Sequence, residues 1–587
     1  MSVREKDVKN EFISDLINKM KRDYICLPSF QRDFVWNPKQ MALLIESVIR
    51  HYPIGTFIFL RYLENRDLGK QSFVGTDPNA FRPKYYVIDG QQRLRTFWIA
   101  VNKPNRFIPT GTVEHKEKKY KIYLRLDTDI SRLPIYVDKP SFVVPERTEE
   151  DDKENYEWQA NAKLIPIEFV LDDKLVRKWF KRAFTKSRKS LTATQRRYLK
   201  NVLEIRKRIL TYKCPVEYII KKLKSRDHTN IFKLLNTAGT DLTTFDLLNA
   251  QLSNAHINLR ELWSNAIKEN DMFELYCFDP IQVLKVLLLI RQTKNKDKNP
   301  TCTQKDLNSL HKIYKIPDYY LDYQFDQNES MEFRRQFKED WKEACKYASK
   351  ALEAIQRDFG ACQKKYIPYT PMIVTLAAIE WWRRDYDQRF QGRMKERIKQ
   401  WYWGSIFQKA YEAATDNVIS HHYKSLIEWL QPGNGKKIPS EIRFKMGKKD
   451  IEKAMDDIES SGDARYKGIL CLPLVNNATD IYSYEFLSRD LHDHHIFPKK
   501  CKEAKSGEIE EYEINNVINR MLITDKTNQE IKNKSPYVYL DEKCCTGANL
   551  RNHFLFKEIV TEKLTYRQFY KARKKRIVNR LYSLINY

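Results

Sequence analysis

The stretch YYVIDGQQRLRTFWIAVNK, residues 85–103, decides how the first part of the chain folds. Tyr85 to Ile88, aromatic and β-branched, predict a short strand. Asp89 and Gly90 end it, and Leu94, Phe97 and Trp98 then recur at helical spacing. A strand that turns through a glycine into a helix gathers free backbone amides and the Arg93 guanidinium in one place, an arrangement that binds phosphate. A purely structural reading is also open, with Asp89 capping the helix and Arg93 paired to it. Upstream, YICLPSFQRDFVW (24–36) reads as extended, Asn37 and Pro38 open a helix through MALLIESVIR, and IGTFIFLRYL (54–63) follows Pro53 as a strand. These alternating elements predict an α+β domain.

The chain has 587 residues, enough for about three to five domains. Lys and Arg number 105 against 77 Asp and Glu, a formal charge of +28, and 42% of residues are hydrophobic. A folded, basic protein is implied, and a polyanion such as nucleic acid is the partner that such a charge rewards. No apolar run reaches the roughly 18 residues of a membrane span, and the start MSVREKDVKNEF is too charged for a secretory signal. The ten cysteines form no CxxC pair, which argues against a zinc ribbon or a disulfide framework and fits a reducing, cytoplasmic setting. Neither GxGxxG nor GxxxxGK[ST] occurs, so a bound nucleotide would need another device for its phosphates.

Residues 181–210 carry eleven Lys or Arg and one acid, Glu204, in a helix-compatible pattern. This is a phosphate-facing surface or, equally, the solvated face of a structural helix. Amphipathic stretches such as IQVLKVLLLIRQ (281–292) and PMIVTLAAIEWWRRDYDQRF (371–390) predict a mainly α-helical middle. QPGNGKKIPS, 431–440, gathers two Gly and two Pro and is the clearest expected boundary. The expected division is 1–250 with an α+β core at about 20–130, a helical coupling region 251–435, and a C-terminal domain 436–587. The last helix, YRQFYKARKKRIVNRLYSLINY (566–587), has seven basic residues and no acid, with Leu564, Ile577, Leu581 and Leu584 expected inward.

Three of the eleven histidines fall within residues 492–495 of DLHDHHIFPKK. INNVINRMLITDKTNQEIKNKSP (514–536) follows and supplies Asn519 and Asn528. Two histidines and a later asparagine on one small β-hairpin and helix provide a general base and two ligands for a divalent metal, which is a phosphodiester-cleaving arrangement. A structural zinc site or a surface histidine cluster is the rival, but no nearby CxxC completes the former.

Three ordered blocks, LPSFQRDFVWNPKQ (27–40), VIDGQQRLRT (87–96) and IFKLLNTAGTDLTTFDLLNA (231–250), resemble the N-terminal domain of GmrSD-type, type IV modification-dependent restriction enzymes. That domain is related to the ParB/sulfiredoxin nucleotide-binding fold. The resemblance implies a nucleoside triphosphate site, with GTP, ATP, CTP and UTP undistinguished. Arg93, Gly90, Gln91 and Gln92 would contact phosphates, Asp89 would position them or a Mg²⁺, Gln31 and Arg32 would share the surface, and Asn236 would belong to the same site. In the third block Asn236 and Asp246 are equally plausible as turn and cap residues.

The C-terminal block resembles the HNH, or His-Me finger, nuclease domain of the same proteins, a ββα-metal fold set here within helices. It implies His495 as the base, His494 and Asn528 as ligands of Mg²⁺ or Mn²⁺, and Asn519 as a brace, with Asp493 and His492 competing as ligands or orienters. Pro498 matches the family's HxxP ending. The expected activity is nucleotide-regulated cleavage of modified double-stranded phage DNA in a bacterial cytoplasm. Glucosylated hydroxymethylcytosine is one mark in this group, and phosphorothioate, as in Ssp-type and BREX-associated relatives, is another. A homodimer or higher oligomer is compatible with this reading. Two rivals remain at the level of sequence, a nucleotide-switched DNA-binding protein with an inactive HNH fold and an RNA-directed nuclease toxin.

Overall fold

The computed structural model describes residues 6–28, 31, 34, 36–62, 70–101, 123–127, 142–143, 156–184, 190–219, 243–253, 255–316, 327–413, 415–433, 438–488, 491–499, 511–542 and 547–586. They form two compact units, Met1–Arg260 with Pro317–Met331, and Glu261–Ile316 with Glu332–Tyr587. Arg32 and Asn236 lie outside the described residues. Among the described residues no helix is long and apolar enough to cross a membrane.

The first unit is built on a six-stranded mixed sheet. Its strands are β1 (Lys6–Phe12), β2 (Ile25–Pro28), β3 (Phe57–Arg61), β4 (Lys70–Gln71), β5 (Tyr85–Asp89) and a late strand, Lys213–Ile219. The spatial order is β1, the late strand, β3, β5, β2, β4. β3 runs antiparallel to β5 and parallel to the late strand. Phe57, Ile58, Phe59 and Leu60 are all buried, as expected of a strand covered on both faces. Phe57, Phe59 and Val87 pack into the larger core with the helices, whereas Ile58, Leu60, Tyr86 and Ile88 join Cys26 and Phe81 in a second cluster.

Helices α1 (Ile13–Lys21), α2 (Pro38–Ile49) and α3 (Gln91–Val101) supply that larger core. The Asn37-Pro38 start is observed as read: Asn37 Oδ1 accepts from Gln40 N at 3.0 Å, and Gln40 Oε1 accepts from Asn37 N at 3.0 Å, with Pro38 in the first turn. Of the basic stretch, residues 185–189 lie outside the described residues and the rest reaches from α4 (Asp173–Phe184) to α5 (Ala193–Thr211), where Val202, Ile205 and Ile209 are buried and Arg197, Lys200 and Lys207 are exposed.

The second unit is mainly helical. The middle helices, including α6 (Pro280–Lys294), α7 (Pro371–Trp382) and α8 (Gln388–Phe407), pack in one body with the C-terminal elements. α8 contacts α9 (Ala464–Val475) as well as the last helix, Tyr566–Ile585. The glycine- and proline-rich stretch 431–440 therefore lies inside this unit rather than between two bodies.

Within it, the three-membered minor sheet Tyr123–Arg125, Phe142–Val143 and Leu164–Pro166 of the first unit has no counterpart; the only ladder is a two-stranded ribbon among the described residues. Counting those three as β6 to β8 and Lys213–Ile219 as β9, the ribbon consists of β10 (Leu491–His495) and β11 (Arg520–Thr524), followed by α10 (Asp525–Ile531). The ribbon-to-helix turn is held by Asp480, which is fully buried. Its Oδ2 accepts from Thr524 N (2.8 Å) and Thr524 Oγ1 (3.0 Å), and its Oδ1 from Thr527 Oγ1 (2.6 Å), Tyr482 N (2.9 Å) and Ser483 N (3.0 Å). Burial opposes the charge of this carboxylate, but these donors outweigh it and hold its pKa below the ordinary value. Replacement of Asp480 by Ala strands three backbone N–H groups, that of Tyr482 buried and those of Ser483 and Thr524 partly so. The expected loss is about 3 kcal/mol or more, read as a fall in the thermal midpoint, with Asp480→Asn losing less.

Candidate functional site

Two constellations, one in each unit, carry the polar chemistry. In the first, β5 ends at Asp89 and α3 begins at Gln91, so Gly90 makes the whole turn. Its φ is +96°, and a Cβ there would lie 2.3 Å from Phe57 Cδ1, so any other residue would be strained and would have to displace the Phe57 ring. Arg93 folds back over the Phe57 ring, 4.7 Å from its centroid. Nη1 donates to Ile54 O (2.6 Å), and Nη2 donates to Thr56 O (3.0 Å) and Asp89 Oδ2 (2.9 Å). The guanidinium thus stitches the approach to β3 onto the end of β5, and Arg93 is paired to Asp89 as in the structural reading. A phosphate would have to share or displace these oxygens.

Gln31 sits beside the same turn. Its Nε2 donates to Val87 O (2.6 Å) and Ile88 O (3.1 Å), while its buried Oε1 has no partner among the described residues. Gln92 Oε1 accepts from Trp36 N at 3.3 Å, and both Gln91 and Gln92 are buried. The structure therefore brings together Gln31, Asp89, Gly90, Gln91, Gln92 and Arg93. Asp246, the third residue of the helix Thr244–Ser253, completes a capping box with Thr243: its Oδ2 accepts from Thr243 N (3.1 Å) and Thr243 Oγ1 (2.8 Å), its N donates to Thr243 Oγ1 (3.2 Å), and its Oδ1 pairs with Arg260.

The second constellation follows from strand alternation. In β10, paired antiparallel with β11, side chains at 492 and 494 share one face and those at 493 and 495 the other. On the α10 side, His494 Nδ1 lies 3.0 Å from Asn528 Oδ1. This is a hydrogen bond, with Nδ1–H donating to Oδ1; with Nδ1 deprotonated the same two atoms would suit a divalent ion, since two cis ligands about 2.1 Å from an octahedral Mg²⁺ are separated by about 3 Å. His494 Nε2 is buried without a hydrogen-bond partner, so the ring has no outer acceptor of the sort that usually braces a ligating histidine. Among the described residues no three His, Cys, Asp or Glu side chains gather to hold a metal. His492 Nε2 instead pairs with Asp525 Oδ1 at 3.0 Å on the exposed end of the ribbon.

On the opposite face His495 is half-buried, and burial pushes its pKa, like that of His494, down to about 4. It is therefore neutral at pH 7. Asp493 also lies on this face, away from Asn528. Its Oδ2 accepts from Tyr466 OH at 2.5 Å, and burial pushes its carboxyl above the ordinary value.

Asn519 is fully buried just beyond the ribbon. Its Oδ1 accepts from Phe497 N (2.8 Å), and its Nδ2 donates to Phe497 O and Ile514 O (both 3.0 Å). Three bonds from one amide pin the Ile496–Pro498 exit of β10 against the entry to β11. From the last helix, α11 (Tyr566–Ile585), Arg573 reaches beneath this turn to donate to Ile518 O and, at 3.3 Å, to His553 O. It is buried without a carboxylate partner in these bonds, so this basic residue supports the loop instead of facing phosphate. Asn515, Arg520, Tyr466, Asp480 and Arg573 were not legible as site residues. Alternation in LHDHH does place 493 and 495 together, but only the observed register sets Arg520 opposite His495.

Residues 13–253 match the family model described as the GmrSD restriction endonuclease, N-terminal domain. The match covers 241 of the 587 residues, so it is the N-terminal part of the chain that is similar to this domain. Over 563 residues the chain is 27% identical to an uncharacterized protein of Methanocaldococcus jannaschii, covering 91% of this chain and 87% of that one.

Four histidines of the second unit, His422, His494, His495 and His553, have pKa values pushed down to about 4 by burial. Because the unfolded chain protonates near 6.5, their stabilisation is full above that pH and is lost as pH falls toward 4. The thermal midpoint is expected to be level between pH 7 and 8 and to fall steeply between about 6.5 and 4. His553→Gln should flatten that fall.

Proposed function

We propose that this protein is a nucleotide-regulated, metal-dependent DNA endonuclease that restricts modified foreign DNA, cutting through an HNH-type site. The observation that carries the nuclease reading is the division of labour across one ribbon: His494 and Asn528 3.0 Å apart on one face, a neutral His495 on the other. The Asn519 brace supports it, because a base must be held within hydrogen-bond reach of its water.

His494 and Asn528 would hold Mg²⁺ or Mn²⁺, which when bound stabilises charge on the scissile phosphate and the leaving oxygen. His495 accepts the proton of the attacking water. Asn519 keeps the strand exit still while it does so. One such site cuts one strand per event.

The regulatory half of the proposal rests on the match of residues 13–253 and on the turn at Gly90. Backbone amides opening α3 would meet the phosphates of a nucleoside triphosphate, and Arg93 would exchange protein oxygens for phosphate ones. Because Arg93 also joins β3 to β5, its loss reaches the fold of the first unit as well as binding.

The test is cleavage of unmodified, glucosylated and phosphorothioated duplexes with Mg²⁺ or Mn²⁺, with and without GTP, ATP, CTP or UTP. Wild type is expected to cut one modified substrate. His495→Ala should lower the rate about 100- to 10,000-fold while duplex binding persists. Arg93→Ala should abolish the nucleotide effect and lower the thermal midpoint together. If wild type and His495→Ala behave alike on every duplex, the nuclease reading fails and a nucleotide-switched DNA-binding protein replaces it. Cutting of structured RNA in preference to every duplex would reassign the substrate.

A further inference from the structure

The face of the ribbon that carries His495 holds a chain of polar groups that the cleavage scheme above leaves unused. Register places Arg520 opposite His495. Arg520 Nη2 donates to Asn515 Oδ1 at 3.4 Å, and Nη1 donates to Asp493 O at 3.4 Å and lies 3.6 Å from Asp493 Oδ1. Asp493 Oδ2 is held in turn by Tyr466 OH at 2.5 Å. At the other end of the chain, His495 Nε2 lies 3.4 Å from the same Asn515 Oδ1.

The two ends of an amide have nearly the same shape, so the network decides which way Asn515 points. A guanidinium only donates, so the Asn515 atom facing Arg520 is the carbonyl oxygen. That oxygen also faces His495, and a carbonyl oxygen only accepts, so Nε2 must carry the hydrogen. A neutral imidazole has one N–H, which leaves the lone pair on Nδ1. Nδ1 makes no hydrogen bond among the described residues.

We infer that Asn515 and Arg520 are positioning residues that hold His495 in its Nε2–H form and thereby make Nδ1 the atom that takes the proton from water. The inference rests on His495 being the base of the proposed cleavage. In that step the proton passes from water to Nδ1 as the water oxygen forms a bond to phosphorus. The bond from phosphorus to the leaving oxygen breaks, and that oxygen keeps the electron pair and takes a proton from solvent. Nε2–H stays on Asn515 throughout, and Nδ1 later returns its proton to solvent.

The test has two readouts on the full chain with Mg²⁺. In the first, protein labelled with [¹⁵N]histidine is examined by two-bond ¹⁵N–¹H correlation at alkaline pH, with His495 assigned by its disappearance in His495→Gln. The expected result is a protonated Nε2 and a bare Nδ1; a protonated Nδ1 overturns the inference. In the second, Asn515→Leu, which has the size of Asn but no acceptor, should lower kcat about 10- to 100-fold with KM and the Mg²⁺ requirement unchanged. Asn515→Asp, which keeps the acceptor, should restore most of the rate. Wild-type kcat in Asn515→Leu overturns the inference, and so does equal loss in both variants. If His495→Ala itself cuts normally, the nuclease reading is what has failed, and the ¹⁵N result still reports separately whether Asn515 sets the ring.

Discussion

Antiparallel pairing of Leu491–His495 with Arg520–Thr524 is the constraint on which the rest of the candidate nuclease chemistry depends. In a strand, neighbouring side chains leave the backbone in opposite directions, so two consecutive histidines cannot share a task. His494 is sent toward the following helix and meets Asn528; His495 is sent away from it and meets Asn515. A shift of one residue in this register would exchange the two rings. The many hydrogen bonds around the ribbon can be understood as what prevents that shift.

Those bonds come from buried polar groups that are almost wholly satisfied by backbone. Asp480 fixes the junction of β11 and α10, Asn519 fixes the exit of β10, and Asn516 Nδ2 ties the intervening turn to Met455 O (2.9 Å) and Asp456 O (3.0 Å). Each would be costly if left half-bonded in a low-dielectric interior, and each is therefore rigid where it is fully bonded. Arg573 fits the same pattern with a charge and less completely, because Nη1 and Nη2 donate to the carbonyls of Ile518 and His553 while its buried Nε has no partner among the described residues. The ribbon is short and only five residues pair with five, so precision here comes from its supports more than from its own ladder.

At the strand-to-helix turn of the first unit the same economy has a different result. Arg93 is a residue that phosphate-binding turns would use, yet its hydrogen bonds run to Ile54, Thr56 and Asp89. It holds the glycine turn in shape, and Gly55 gives it room, since a Cβ there would lie 2.7 Å from Nη1. Any ligand that took up this guanidinium would draw it from the bonds that hold β3 to β5.

The sequence by itself determined the local elements: the capped helix opened by Asn37 and Pro38, the buried strand at Phe57–Leu60, the glycine turn after Ile88, and a histidine cluster too dense to be incidental. These are short-range properties, set by caps, period and the steric freedom of glycine. It also marked Asn519 and Asn528 as the polar residues downstream of the cluster. It did not reveal that residues 261–316 and 332–587 share one body, since a glycine- and proline-rich stretch looks alike within a unit or between two. Nor did it reveal Asp480, Asn515, Arg520 or Arg573, because a single Asp, Asn or Arg has no period and its role depends on which distant backbone or side chain it reaches. Only tertiary structure chose those partners, by bringing each side chain to the particular backbone and side-chain groups it bonds.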